Sequence, residues 1–250
     1  MSELLLQARD ISVRFGGLTA VDAVNADFHA GELVGIIGPN GAGKTTFFNA
    51  ISGVIAPTSG QLLAGGKNLS GKGPHRYAAA GIARTFQTPR VFPDMPVADN
   101  IGFGLKFAGR QREGAWQLRD EAGILALIGL AAQADMPAGA ITPSQQRLLE
   151  IGMALATRPR LLLLDEVAAG LTESEIENMA LLIRRMRDEL GLTVVWIEHA
   201  VTTLLRHVER VIVLHQGRKI ADGTPAAVVR DAEVIEAYLG DEMSESGVAA

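Results

Sequence analysis

An α/β fold built on a mainly parallel sheet is the class this sequence predicts, and three observations predict it. Short runs of leucine and β-branched residues, LVGII (33–37), LLLLD (161–165), TVVWI (193–197) and VIVL (211–214), are bounded by glycine or polar residues, the pattern of strands buried on both faces. Helical patterns separate several of them. Over 173–190, Ile176, Met179, Ile183, Met186 and Leu190 recur at spacings of three and four along a charged segment. A glycine-rich stretch, GPNGAGKTT (38–46), joins the first run to the helical pattern FFNAIS. Strands alternating with helices in this way imply a layered α/β core.

Composition bounds the rest. A chain of 250 residues that is 48% hydrophobic buries a full core, as one large domain or one domain with an inserted lobe. With 23 basic against 28 acidic residues the net charge is −5, which argues against a nucleic-acid partner, since phosphate neutralisation wants a basic face. The most apolar stretches, LALIGLAA (125–132) and LLLL (161–164), fall short of the roughly 18 residues a membrane span requires. The start, MSELLLQARD, carries Glu3 and lacks a basic region before a long apolar one, so it does not read as a secretory signal. The absence of cysteine excludes disulfides and thiolate ligands, and the histidines show no H-E-x-x-H pairing, so any metal here is held by oxygen.

Between Gln87 and about residue 157 the texture changes. A loop punctuated by Pro89, Pro93 and Pro96 precedes helical segments around 116–134 and 144–157, with no convincing strand. This reads as a helical lobe over about 89–156, inserted in a core of about 1–88 and 157–240, with 241–250 as a frayed tail.

GPNGAGKTT satisfies G-x-x-x-x-G-K-[ST] through Gly38, Gly43, Lys44 and Thr45, with Asn40, Gly41, Ala42 and Thr46 completing the loop. Glycines are needed because successive backbone N–H groups must turn toward a polyphosphate, and a helix N-terminus adds its positive end. Lys44 then reaches the β- and γ-phosphates, and the Thr45 hydroxyl suits Mg²⁺. LLLLDE (161–166) is a hydrophobic strand ending in two carboxylates, at the strand end where open α/β sheets place ligands. Asp165 suits the Mg²⁺ shell, and Glu166 can act as general base on an attacking water. Taken alone, such a strand can also end in two solvated acids.

The P-loop, Gln87 in ARTFQ, a helix start at 141–146, LLLLDE, and His199 closing VVWIEH occur in the order typical of ATP-binding cassette ATPases. The resemblance covers about residues 4–240. VRFGGLTAV (13–21), ARTFQTPRVFPDMPVADNI (83–101), AAGL (168–171) and QGRKIADGTP followed by AYLG are similar to the branched-chain amino-acid importer subgroup. The resemblance implies a RecA-like P-loop NTPase core with an antiparallel β subdomain and an inserted α-helical subdomain. It implies ATP and Mg²⁺ as ligands, with Phe15 stacking on adenine, Gln87 sensing Mg²⁺ and the γ-phosphate, and His199 contacting the γ-phosphate. A phenylalanine after a strand also suits a core. Implied partners are integral membrane permease subunits, a second cassette ATPase and an extracytoplasmic solute-binding protein, which would place the chain at the cytoplasmic face of the cell membrane.

ITPSQ (141–145) stands where the resemblance implies Leu-Ser-Gly-Gly-Gln, the signature that caps ATP held by the opposite subunit. Locally it reads as a helix start, with Thr142 as cap, Pro143 at the first helical position and Gln145 completing a capping box. Pro143 and Ser144 occupy the two glycine positions. Pro143 offers no N–H, whereas Thr142 keeps a hydroxyl and Ser144 an N–H at a helix N-terminus. The added Cβ at Ser144 hinders close approach. Val167 stands where proline is usual, and Ala169, Gly170 and Leu171 resemble the loop that crosses between subunits, with Thr172 as an N-cap. Three readings follow: an importer energy subunit, the weakly hydrolysing half of a heterodimeric cassette pair, or a lipid-export or other non-importing cassette ATPase.

Overall fold

The computed structural model describes residues 2–107, 120–198 and 200–238. Six strands, β3 (Leu33–Ile37), β6 (Ile82–Arg84), β7 (Leu161–Asp165), β8 (Thr193–Ile197), β9 (Arg210–His215) and β10 (Arg218–Gly223), form one sheet in the order β10-β9-β3-β8-β7-β6. Five of them run parallel. Only β10 is antiparallel, returning from β9 through a turn in which Gln216 and Gly217 have φ of 47° and 79°, the positive values a tight hairpin demands. All four strands expected from the apolar runs are present. A second, antiparallel sheet has the order β2-β1-β4-β5, from β1 (Leu4–Phe15), β2 (Leu18–His29), β4 (Ser59–Ala64) and β5 (Lys67–Asn68).

Period-two alternation sorts the large sheet between two cores. Leu33, Ile37, Leu162, Leu164, Val194, Trp196, Val211 and Val213 face one hydrophobic cluster. Val34, Ile36, Leu161, Leu163, Val195, Ile197, Ile212 and Leu214 face the other. Because both faces are covered, the strands read as unbroken apolar runs rather than alternating ones. The second cluster is shared with β1, β2 and helix α1 (Lys44–Ile51), so the small sheet packs through α1 onto the large one. The first cluster takes in α6 (Glu173–Leu190), whose buried Met179, Ile183 and Met186 lie on the face expected from their spacing, and α7 (Val201–His207).

The helices between Gln87 and Thr157 join that same first cluster. They are α3 (Val97–Phe107), α4 (Glu121–Leu127) and α5 (Pro143–Ala156), following the short α2 (Pro74–Ala80). Among the described residues of this stretch the only β pairing is an isolated Pro96–Pro137 bridge, as expected. Two differences from the sequence reading stand out. The helix expected over 116–134 is shorter: α4 ends at Leu127, Gly129 turns the chain at φ 74°, and only a 3₁₀ turn at Ala131–Gln133 follows, while 116–119 lie outside the described residues. Helix α3 was not anticipated, because Asp99, Asn100, Gly102 and Gly104 lower its intrinsic propensity. Tertiary packing overrides that cost.

Gly104 shows why a glycine is retained there. A Cβ at this position would lie 2.7 Å from the Ala156 Cβ and 3.0 Å from the Met153 carbonyl oxygen, so α3 and α5 approach backbone to backbone. Gly104→Val should therefore destabilise the chain by roughly 1–3 kcal/mol through overpacking. A lowered midpoint in urea denaturation with an unchanged slope is the expected result.

Candidate functional site

The loop between β3 and α1 is shaped by close approach. Gly38 has φ 151°, and a Cβ there would lie 2.0 Å from the Leu214 carbonyl oxygen. Gly43 has φ 94°, with the Ala20 carbonyl 2.3 Å from the position its Cβ would take. Both positions demand glycine on sterics and on φ. The β9–β10 turn braces the loop from below: Gly217 N–H donates to Ala42 O at 3.0 Å, and Asp22 N–H donates to Gly217 O at 2.8 Å.

Helix α1 starts at Lys44 with Gly43 as N-cap, no capping side chain and no acid in its first turn. Its first N–H groups and its positive end therefore lack the side-chain oxygen that most helix starts supply. The Lys44 ammonium is buried and donates to Gly38 O at 2.6 Å and Pro39 O at 2.8 Å, folded back over its own loop. The cleft beside the loop measures about 590 Å³. Asn40, Gly41, Ala42, Gly43, Lys44, Thr45 and Thr46 line one side of it; Phe15 and Glu166 lie on the others. Phe15 is 54% exposed, which resolves its two readings against a core position.

Opposite the loop, β7 ends in two buried carboxylates. Arg84 donates to Asp165 Oδ2 at 2.8 Å, to Asn49 Oδ1 at 2.7 Å and to Ser52 Oγ at 2.8 Å. Its guanidinium also lies over the Phe86 ring at 4.6 Å. Burial raises the Asp165 carboxyl above its ordinary value; Arg84 opposes that shift and Glu166 adds to it. Burial likewise lowers Arg84, against the pull of Asp165. Glu166 has φ 50°, a left-handed conformation costly for a residue with a Cβ, and its N–H is held by Ile197 O at 3.0 Å. Gln87 Nε2 donates to Glu166 Oε2 at 2.6 Å, joining two residues that the sequence placed 79 apart.

The signature positions lie elsewhere. Thr142 caps α5 with the expected capping box: its Oγ1 accepts from Gln145 N–H at 3.2 Å, and Gln145 Oε1 accepts from Thr142 N–H at 3.0 Å. Pro143 is the first helical residue, and the Ser144 and Thr142 hydroxyls are 3.0 Å apart. Thr142, Ser144 and Gln145 do not line the cleft. Val167 is buried at 1% exposure and Ala169 and Gly170 are exposed; Thr172 caps α6 with a second capping box. His199 lies outside the described residues.

Four residues of this neighbourhood escaped the sequence reading. Arg84 pairs with Asp165, and Glu198 accepts from Ala168 N–H at 2.6 Å and from the Trp196 indole at 3.1 Å. On α5, Arg147 donates to Val167 O at 3.2 Å, to Ala169 O and to Gln87 O at 3.4 Å. Glu150 accepts from Phe86 N–H at 3.3 Å and Arg90 N–H at 3.1 Å; burial pushes its carboxyl up to about 7 while those two N–H groups, Arg147 and Arg90 pull it down. The available signal was a charge inside an apolar pattern: Glu150 in RLLEIGMAL and Arg84 in GIARTF.

A glycine-rich loop between the parallel strand β3 and helix α1, with two acids at the end of β7 on the far side of β8, defines a P-loop nucleoside triphosphatase. Comparison with known proteins refines this. Residues 21–169 match the family model described as ABC transporter, and 218–243 match that of the branched-chain amino acid ATP-binding cassette transporter. The chain is 37% identical to the high-affinity branched-chain amino acid transport ATP-binding protein BraF of Pseudomonas aeruginosa, and equally to LivG of Escherichia coli K12, over 96% of its own length and 100% of theirs. Among solved structures it is similar to the ADP conformation of MJ1267, an ATP-binding cassette of an ABC transporter, with TM-score 0.83 and 29% identity over 96% of this chain and 100% of that one. The chain belongs to the ATP-binding cassette family of transporter ATPases.

Removing Arg84 would strand the Asp165 carboxylate. Arg84→Met should lower stability at pH 7 by roughly 3 kcal/mol, the usual cost of breaking a buried pair from one side. The sign with pH follows from linkage: without Arg84 the folded carboxyl rises further above its unfolded value, so the folded state binds more protons. The deficit should therefore shrink as pH falls through the range in which the folded carboxyl titrates, and stop changing once Asp165 is protonated in both folded proteins. Urea titrations of both proteins at pH 4.5 and pH 7.5 would read this out.

Proposed function

We propose that the chain is the ATP-binding and hydrolysing subunit of a membrane importer for branched-chain or other hydrophobic amino acids. One observation carries the nucleotide site: the uncapped positive end of α1 and the buried Lys44 ammonium face Glu166 across a single cleft. In this reading the α1 N–H groups and Lys44 neutralise the triphosphate, Phe15 stacks on adenine, and Glu166, aligned by Gln87, takes the proton of the attacking water. His199 contacts the γ-phosphate. The donor set suits magnesium: a Thr45 hydroxyl, a Gln87 amide and an Asp165 carboxylate are all hard oxygen ligands. No cluster of three His, Cys, Asp or Glu that could hold a metal occurs among the described residues, so the phosphates would complete the shell. Magnesium, when bound, supplies charge neutralisation of the phosphates.

Two substitutions separate binding from chemistry. Lys44→Ala should weaken MgATP binding at least tenfold, whereas Glu166→Gln should keep that affinity and lose on the order of 10²–10⁴ in kcat, the range of a general base. Fluorescent-nucleotide titration together with phosphate release measures both. Unchanged affinity in the lysine variant would sink the nucleotide site.

No helix among the described residues is long and apolar enough to cross a membrane; in this reading integral permease subunits carry the solute and the chain works on them from the cytoplasmic face. A docking patch supports that reading. Buried Asn100 accepts from Phe92 N–H at 2.8 Å and donates to Phe92 O at 3.2 Å and Pro96 O at 2.9 Å, holding the loop before α3. The Phe92 ring is thereby set 5.3 Å from that of Phe103, and the two are 41% and 47% exposed. Paired exposed aromatics are a usual anchor for a partner. The wider assembly would include a second cassette and an extracytoplasmic solute-binding protein. Phe92→Asp should abolish uptake while leaving MgATP affinity of the purified chain unchanged; radiolabelled leucine uptake in cells tests it, and normal uptake would move the docking site elsewhere.

The altered signature favours one further reading, in which this chain serves in a heterodimer whose second site, capped by ITPSQ, turns over slowly. Pro143 removes an N–H and Ser144 adds a side chain where close approach to a phosphate is required.

A further inference from the structure

Helix α5 does more than present its N-terminus. One turn inside it, Arg147 and Glu150 stand three residues apart, on one face of the helix, and both reach backbone groups of the loop that carries Gln87. Glu150, 5% exposed, accepts from the N–H groups of Phe86 and Arg90, one on either side of Gln87. Arg147 donates to the carbonyl of Gln87 itself at 3.4 Å, and with its other contacts to Val167 O and Ala169 O, just beyond Glu166. The backbones flanking both members of the Gln87–Glu166 pair are thus tied to a single helix through side chains of opposite sign. The cations that face Glu150 are Arg147 on its own helix, Arg90 on the loop and Arg84 on β6.

A buried carboxylate is retained only where its acceptor capacity is used. Here that capacity is spent on two N–H groups of a loop that has no strand partner. Because Gln87 reaches Glu166 at 2.6 Å, a rigid-body shift of α5 would be transmitted by the two tethers to that contact rather than absorbed by the loop.

We infer that Glu150 and Arg147 are positioning residues that set the Gln87–Glu166 hydrogen bond of this subunit according to the position of α5, so that a nucleotide engaged by the N-terminus of α5 in the opposite subunit controls hydrolysis in this one. The inference rests on the proposed dimer, in which residues 142–145 meet the opposite nucleotide. Neither Glu150 nor Arg147 lines the nucleotide cleft; they act through the loop.

The test uses the full-length chain and three variants, Glu150→Leu, Glu150→Gln and Arg147→Met, followed by amide hydrogen exchange over 86–90 with and without MgATP, and by kcat and MgATP affinity. In the parent, MgATP should slow exchange at Phe86 and Arg90. Glu150→Leu should erase that response and lower kcat roughly tenfold or more, as misplacement of reacting groups does, with MgATP affinity within about twofold of the parent. Glu150→Gln keeps an oxygen in the place of Oε1, which accepts from both amides, and should restore most of the response and of kcat. A general packing role would show instead as equal losses in both Glu150 variants or a parallel fall in affinity, and either overturns the inference. So does an absent MgATP response in the parent. Should the leucine variant fail to fold, Arg147→Met is read by the same criteria. MgATP-driven association of the Glu166→Gln chain, followed by sedimentation, separates the two levels. Without association the dimer reading falls and takes the coupling with it; association without a response over 86–90 overturns the coupling alone.

Discussion

Two carboxylates next to one another in sequence, both nearly excluded from water, set the terms for the rest of this structure. Asp165 and Glu166 are 3% and 6% exposed at the end of β7. Charges so placed repel each other and lose hydration, so each needs a donor brought by another segment. Strand β6 brings both. Its register against β7 pairs Arg84 with Leu163, and Thr85 closes the junction by donating to Leu163 O at 2.9 Å and accepting from Asp165 N–H at 3.2 Å. From that anchored end Arg84 reaches Asp165 and Gln87 reaches Glu166. A strand of only three residues is kept at the sheet edge because the acids beside it require it.

The opposite wall of the cleft is positive. Helix α1 begins without an acid in its first turn, and the Lys44 ammonium settles on two carbonyls of its own loop. These two contacts are to neutral carbonyls and fold the side chain back over the loop that follows β3. The small sheet belongs to this wall as well. Gly43 lies directly under Ala20 of β2, and Phe15 closes the cleft from the end of β1. The antiparallel sheet and the parallel core therefore make one binding surface, joined where glycine permits backbone contact.

How much of this was legible in the sequence depended on whether the signal was local. Strands buried on both faces announce themselves as apolar runs, and LVGII, LLLLD and TVVWI coincide with β3, β7 and β8 residue for residue. The capping box at Thr142 and the N-cap at Thr172 were readable because such signals span only three residues; that Glu175 completes a second box is seen only in the structure. Helix α3 was not, since Gly102 and Gly104 are explained only by what packs against them. The antiparallel sheet came through resemblance, because β1 and β2 carry bulges that blur their alternation. Within the site, motif positions were found and their partners were missed. Arg84, Arg147, Glu150 and Glu198 act over separations of 30 to 81 residues or on backbone atoms that no pattern of side chains encodes.

The altered start of α5 shows how a sequence can keep a structural role while changing its chemistry. Proline at the first helical position and a threonine–glutamine capping box make a better-defined helix start than two glycines would, since proline fixes φ and glycine has the most freedom to lose. The groups that make the cap are thereby committed to it: Gln145 Oε1 holds Thr142 N–H, Thr142 Oγ1 holds Gln145 N–H, and the Ser144 hydroxyl sits 3.0 Å from that of Thr142. This end presents two hydroxyls, that of Ser144 also hydrogen-bonded to the Glu175 carboxylate, in place of a bare glycine backbone. The helix is thus firmly built at its start, and that rigidity extends one turn further in, to Arg147 and Glu150.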